Sequence, residues 1–131
     1  MKKIDFSTIM KMLNEFDFPD VDMVVGIGFG GLVPAALVAQ RLGKDLSAIS
    51  INYRDAANTP QHDQPRLLKP LKLPAGVKKI LLVDDVAVTG QTLMTARAAL
   101  EPCEVVTFVL KGKADLVLLP LVKDCVLWPW K

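Results

Sequence analysis

Unbroken apolar runs alternate along the chain with segments of helical period. Ile9, Met12, Leu13 and Phe16 recur at three- and four-residue spacing, which predicts an amphipathic helix over residues 5–16 that stops before Pro19. Residues 23–27, Met-Val-Val-Gly-Ile, form the kind of β-branched run that is buried on both faces of a sheet. Gly28-Phe29-Gly30-Gly31 reads as a glycine loop, and a helical pattern then covers residues 32–42 up to Gly43. A second strand is predicted over residues 46–53. Farther on come an apolar strand at 79–83, a turn at 84–90, a helix at 91–100 and a strand at 104–110. Such alternation predicts an α/β domain, a Rossmann-like parallel sheet with right-handed crossovers and helices on both faces.

Two segments break the pattern. The stretch RDAANTPQHDQPRLLKP, residues 54–70, is polar, holds three prolines and shows no period. A run of that length without structure of its own is uncommon in a small domain unless it is functional, so residues 54–69 are expected to form a mobile active-site loop, with the single histidine, His62, exposed in it. Residues 114–131 are apolar but irregular, with one or two short strands expected. Trp128 and Trp130 near the end suit packing residues that seal the core, and Cys125 suits buried filler.

Composition adds mainly exclusions. A chain of 131 residues, 51% hydrophobic, is long enough for one domain, residues 1–131, with a sizeable core. The net charge of +2 comes from 16 basic and 14 acidic residues without a run of one sign, which argues against nucleic-acid binding. Cys103 and Cys125 form no Cys-x-x-Cys pair and read as reduced structural thiols. The longest apolar stretch, residues 24–39, contains four glycines and a proline, short of the roughly 20 residues of a spanning helix, so membrane insertion is not expected. Asp5, Ser7 and Thr8 interrupt the start where a signal peptide would need an apolar centre, and the expected location is cytoplasmic.

The candidate chemistry gathers where predicted strands end, because ligands of open α/β sheets bind outside the carboxyl ends of strands. In residues 80–92 a buried strand delivers two adjacent carboxylates, Asp84 and Asp85, to a turn of small residues that opens a helix. Unpaired amides and the helix dipole favour an anion there, and Thr89 and Thr92 add hydroxyl donors. Alone, an acidic pair at a strand end is usually a solvated turn and a Gly-Gly before a helix is usually a tight turn. Their joint occurrence shifts both toward a site.

At these residues the sequence resembles the type I phosphoribosyltransferases, whose signature is four apolar residues, two acidic residues, a short turn and Thr-Gly-x-Thr. Ile80-Leu81-Leu82-Val83-Asp84-Asp85 and then Thr89-Gly90-Gln91-Thr92 match it. The likeness keeps the family order from about Val21 onward. Within the family the chain is most similar to the small bacterial xanthine-guanine branch, through Gly30-Gly31-Leu32-Val33-Pro34, through Val106-Thr107 with Lys111, and through Pro129-Trp130.

The resemblance implies transfer of ribose 5-phosphate from phosphoribosyl diphosphate to a nucleobase, a 6-oxopurine in that branch, with magnesium holding the diphosphate, as in nucleotide salvage. Asp84 and Asp85 would accept the ribose hydroxyls and lie at the metal, where their charge favours the cationic ribose carbon. Val88, Thr89, Gly90, Gln91 and Thr92 would cradle the 5-phosphate, and the amides of Gly28, Phe29, Gly30 and Gly31 the diphosphate. Arg66, aligned through a one-residue gap, would cover the leaving diphosphate from the loop. Lys111 and Val126 would meet the base, and residues 114–131 would form a short hood over it. The family also implies a homodimer or homotetramer.

Three positions depart from that branch. Phe29 stands in place of an arginine, Val88 of an aspartate and Cys125 of a base-stacking tryptophan. These departures keep two other readings open: a catalytically weak module of the same fold that binds phosphoribosyl diphosphate or a nucleotide to regulate a partner, and a transferase for a different acceptor.

Overall fold

Asp5 starts the first helix, its carboxylate accepting the Thr8 N–H at 2.8 Å. From there α1, Phe6–Glu15, buries Ile9 and Leu13, as the spacing predicts. The computed structural model describes residues 1–52, 66–67 and 71–131.

Ahead of α1 lies the short strand β1, Lys2–Lys3, and after it β2, Met23–Ile27, buried at every position. The helix α2 begins at once and spans Gly28–Leu42, closing on Gly43 in the left-handed conformation at φ 66°. Next come β3 (Asp45–Ile49), β4 (Ile51–Asn52), β5 (Arg66–Leu67) and β6 (Lys79–Ala87). The chain continues with α3 (Gln91–Ala99), β7 (Glu104–Gly112), β8 (Leu116–Val117) and β9 (Val126–Leu127).

Five strands form one sheet in the order β3-β2-β6-β7-β8, and every neighbouring pair is parallel. Period-two alternation sorts its side chains. Val24, Leu81, Val83, Phe108 and Leu110 join the core under α1 and α2, together with Trp128. Val25, Ile27, Ile80, Leu82 and Val109 join the opposite core, under Leu93, Ala96 and Leu100 on the α3 side. The parallel sheet covered on both faces is the expected α/β architecture.

Several expectations need correction. The strand predicted over residues 46–53 breaks after Ile49, because Ile49 pairs with Ile27 and beyond Ile27 the neighbouring chain turns helical. Ile51–Asn52 pairs instead with Arg66–Leu67, antiparallel and apart from the main sheet. Residues 66–67 are thus a strand within the predicted loop, while the rest of that loop, His62 included, lies outside the described residues. The glycine segment 28–31 is the first turn of α2 rather than a loop. The turn predicted from Asp84 begins only after Ala87, since β7 continues alongside and pairs Val86 with Lys111 and Ala87 with Gly112.

At the chain's end, β9 pairs in parallel with β1, Lys2 opposite Val126 and Lys3 opposite Leu127. Trp128 is buried and stacks on Trp130, ring centroids 5.6 Å apart, so the aromatic ending does seal the core. Cys125 is exposed rather than buried filler, one residue outside the short β9 pairing. No helix among the described residues is long and apolar enough to cross a membrane.

Candidate active site

The sheet order places the site. The chain passes from β2 through α2 to β3 on one side, then returns to β6 on the other side of β2, which makes the carboxyl ends of β2 and β6 the point where the winding reverses. A cavity of about 470 Å³ opens there. Its walls are the start of α2 (Gly28, Phe29, Gly30), the end of β6 (Asp84 to Ala87), the turn Val88-Thr89-Gly90 with Thr92 and Leu93, and also Ile51 and Lys131. Ten of the fourteen predicted site residues therefore converge: Gly28, Phe29, Gly30, Asp84, Asp85, Val88, Thr89, Gly90, Thr92 and, buried directly behind, Gly31.

The acidic pair is held by its own backbone. Asp84 Oδ1 accepts the Asp85 N–H at 2.8 Å, and Asp85 Oδ1 accepts the Val86 N–H at 2.7 Å. Burial, followed by the adjacent Asp85 charge, pushes the Asp84 carboxyl well above its ordinary value of 3.8. The second oxygen of Asp85 pairs with the Lys131 ammonium at 3.2 Å.

The two glycines at the start of α2 exist for this pair. A Cβ on Gly30 would lie 2.8 Å from both Asp85 carboxylate oxygens, and one on Gly31 would lie 2.6 Å from the Val83 carbonyl oxygen. They let the helix start press against the end of β6. Pro34, inside α2, has no N–H to give back to the Gly30 carbonyl, which leaves that acceptor at the cavity wall without its helical partner.

Across the cavity, Gly90 caps α3 at φ 82°, a conformation that side chains other than glycine rarely adopt. Thr89 Oγ1 accepts the Gln91 N–H at 3.3 Å. The next amides of α3 lack helical acceptors, as at any helix start, and they sit beside the Thr89 and Thr92 hydroxyls. That places a donor-rich helix start just beyond the end of β6, the strand that carries the two carboxylates.

The remaining predicted residues stand elsewhere. Gln91 is exposed outside the cavity. Lys111 is half-buried in β7, opposite Val86, which does line the cavity. Val126 lies in β9 and packs against the core on the α1 side. For Arg66 only the strand position is described. Sequence reasoning missed Lys131, a single charge after Trp-Pro-Trp with no motif to mark it, and Ile51, which looked like ordinary strand interior.

A parallel sheet with a glycine-capped helix start and an acidic pair at its winding reversal defines an open α/β protein whose candidate site lies at the carboxyl ends of its strands. The chain belongs to the phosphoribosyltransferase family: the model of the phosphoribosyl transferase domain matches residues 4–126. It is 34% identical over 89 residues to an orotate phosphoribosyltransferase of Sulfurisphaera tokodaii, covering 68% of this chain and 41% of that protein. It is equally 34% identical, over 87 residues, to the transcriptional regulator GfcR of Methanocella arvoryzae, covering 65% of this chain and 41% of that one. The chain thus spans about 41% of the length of these curated relatives. Among solved structures, the xanthine-guanine-hypoxanthine phosphoribosyltransferase of Helicobacter pylori shares the fold at a TM-score of 0.80, with 14% identity over 98% of this chain and 92% of that one.

Proposed function

We propose that this protein is a nucleobase phosphoribosyltransferase that moves ribose 5-phosphate from phosphoribosyl diphosphate to a 6-oxopurine and releases diphosphate. The observation that carries the reading is the meeting, across one cavity, of the Asp84-Asp85 pair with the Gly90-capped start of α3. In this reading the residues 88–92 bind the 5-phosphate through amides and hydroxyls, and the carboxylates bind the ribose hydroxyls. Those carboxylates also face the carbon that gains positive charge as diphosphate departs. Gly28, Phe29, Gly30 and Gly31 offer the first-turn amides of α2 to the diphosphate. Arg66 would cover the departing group, and Lys111 and Val126 would address the base.

Magnesium keeps several waters and is bound through one or two carboxylates together with substrate phosphates. Asp84 and Asp85 fit that partial donor set. Among the described residues no cluster of three or more His, Cys, Asp or Glu provides a metal cage without substrate. When bound, the ion would neutralise diphosphate charge. Cytoplasmic salvage of bases by a homodimer or homotetramer is the setting this reading implies.

A second reading has its own support. Phe29 is 99% exposed and Val88 is 77% exposed at the rim of the cavity, where the xanthine-guanine branch has charged groups, and one 34%-identical relative is a regulator. A phosphoribosyl diphosphate sensor would keep the phosphate and ribose contacts and lack turnover. The orotate relative likewise supports a pyrimidine acceptor. Diphosphate release, measured with phosphoribosyl diphosphate, magnesium and each of guanine, xanthine, hypoxanthine, adenine and orotate, separates the three. Release with a 6-oxopurine is the expected result. Release with orotate alone would favour the pyrimidine reading, and tight binding without release the sensor.

A further inference from the structure

We propose that Lys131 is the built-in cation of this site, able to carry an anionic phospho-ligand into the cavity without a divalent metal. The inference rests on the phosphoribosyl diphosphate reading. Among the described residues lining the cavity, two carry carboxylates and one, Lys131, carries a positive charge. A ligand with several phosphate charges is repelled by Asp84 and Asp85 unless a cation stands between them. Magnesium is one such cation. The Lys131 ammonium, 3.2 Å from Asp85 Oδ2, is already in that place.

The geometry separates a fixed partner from a movable one. Asp85 is pressed against Gly30 and bonded to the Val86 N–H, and its side chain is only 12% exposed. The Lys131 side chain is 55% exposed and rotates on a flexible stem, so its ammonium reaches a phosphate oxygen without leaving the carboxylate's neighbourhood. Its backbone is anchored: the Lys131 N–H donates to the Trp128 carbonyl at 3.2 Å, and Trp128 is buried in the core. The position of Lys131 is therefore set by the core, while its charge remains available to a ligand.

The test is the dissociation constant of phosphoribosyl diphosphate, measured by calorimetry in excess magnesium and again in excess EDTA, for the wild type, Lys131→Gln and Lys131→Arg. The wild type is expected to bind in both media. Lys131→Gln should lose on the order of tenfold or more in EDTA and much less in magnesium, while Lys131→Arg keeps the wild-type ratio. Unchanged melting temperatures of the free proteins would show that the fold is intact, and the arginine variant separates charge from packing should the glutamine variant melt early. Binding by all three with the same ratio of the two constants would overturn the role of Lys131 alone. No binding by the wild type in either medium would overturn the phosphoribosyl diphosphate reading and this inference with it.

Discussion

Gly30 and Asp85 touch so closely that the helix start of α2 and the acidic end of β6 form one unit: a Cβ on Gly30 would stand 2.8 Å from both carboxylate oxygens. Gly30→Ala should therefore displace the carboxylate, at about 1–3 kcal/mol of stability, and weaken ligand binding by more than the stability change suggests. Gly31→Ala should be worse for folding, since its Cβ would meet the Val83 carbonyl, which is backbone and cannot rotate away. Thermal melts with and without phosphoribosyl diphosphate test both. An alanine at Gly30 with wild-type ligand stabilisation would show that Asp85 has room to move.

The raised carboxyl of Asp84 gives a pH dependence of definite sign. Burial and the neighbouring Asp85 charge hold its folded-state value above 3.8, so over the window between the two values the folded state carries more protons than the unfolded one. Its contribution to stability is complete below pH 3.8 and is lost as pH rises through the folded value. Asp84→Asn should thus melt higher than wild type at neutral pH, with the gap closing in acid, while ligand stabilisation disappears. A variant less stable than wild type at neutral pH would mean that the pair is a net stabiliser of the free fold.

Gly90 caps α3 at φ 82°. An alanine there costs about 1–2 kcal/mol in that conformation and shifts the amides that face the cavity. Gly90→Ala should weaken ribose 5-phosphate binding roughly tenfold, which titration calorimetry reads directly. An equal affinity would place the phosphate elsewhere.

In the proposed reading the acceptor would be addressed by Lys111, with Val88 standing where an aspartate would serve the ring-nitrogen proton. Val88 is exposed at the cavity rim, so Val88→Asp should change stability by no more than about 0.5 kcal/mol. It should raise turnover with 6-oxopurines, by returning a partner for the ring-nitrogen proton. Lys111→Ala should reduce the preference for guanine over adenine by roughly 5- to 150-fold, the worth of an unmatched polar group in a closed site. Single-base turnover assays decide, and indifference to both changes would direct attention to another acceptor.

Much of this was legible because local and global signals agree. The apolar run Met23–Ile27 and the stretch from Ile80 to Thr92 required no tertiary knowledge, since buried parallel strands and helix starts leave their own residue patterns. The helical start at Gly28 was hidden by its glycines, which suggest a loop until Asp85 is seen against them. The break after Ile49 was hidden for a related reason: it depends on where the neighbouring strand ends, not on residues 50–52 themselves. Lys131 carries no signal beyond its charge. Only the fold of the aromatic ending brings it to Asp85.

Strands β2 and β6 are direct neighbours, with Gly26 opposite Val83. Adjacent strands lie about 4.8 Å apart, but α2 starts at Gly28 directly after β2 while β6 runs on to Ala87 before the turn that opens α3, so the two helix starts are offset along the strands as well as across them. In the proposed reading that offset would work as a ruler. A simple monophosphate would engage one helix start at a time, whereas a molecule with anionic groups at two ends would engage both. The second contact then forms at the high effective concentration set by the first. Discrimination between long and short phosphate esters would follow from the unequal lengths of β2 and β6.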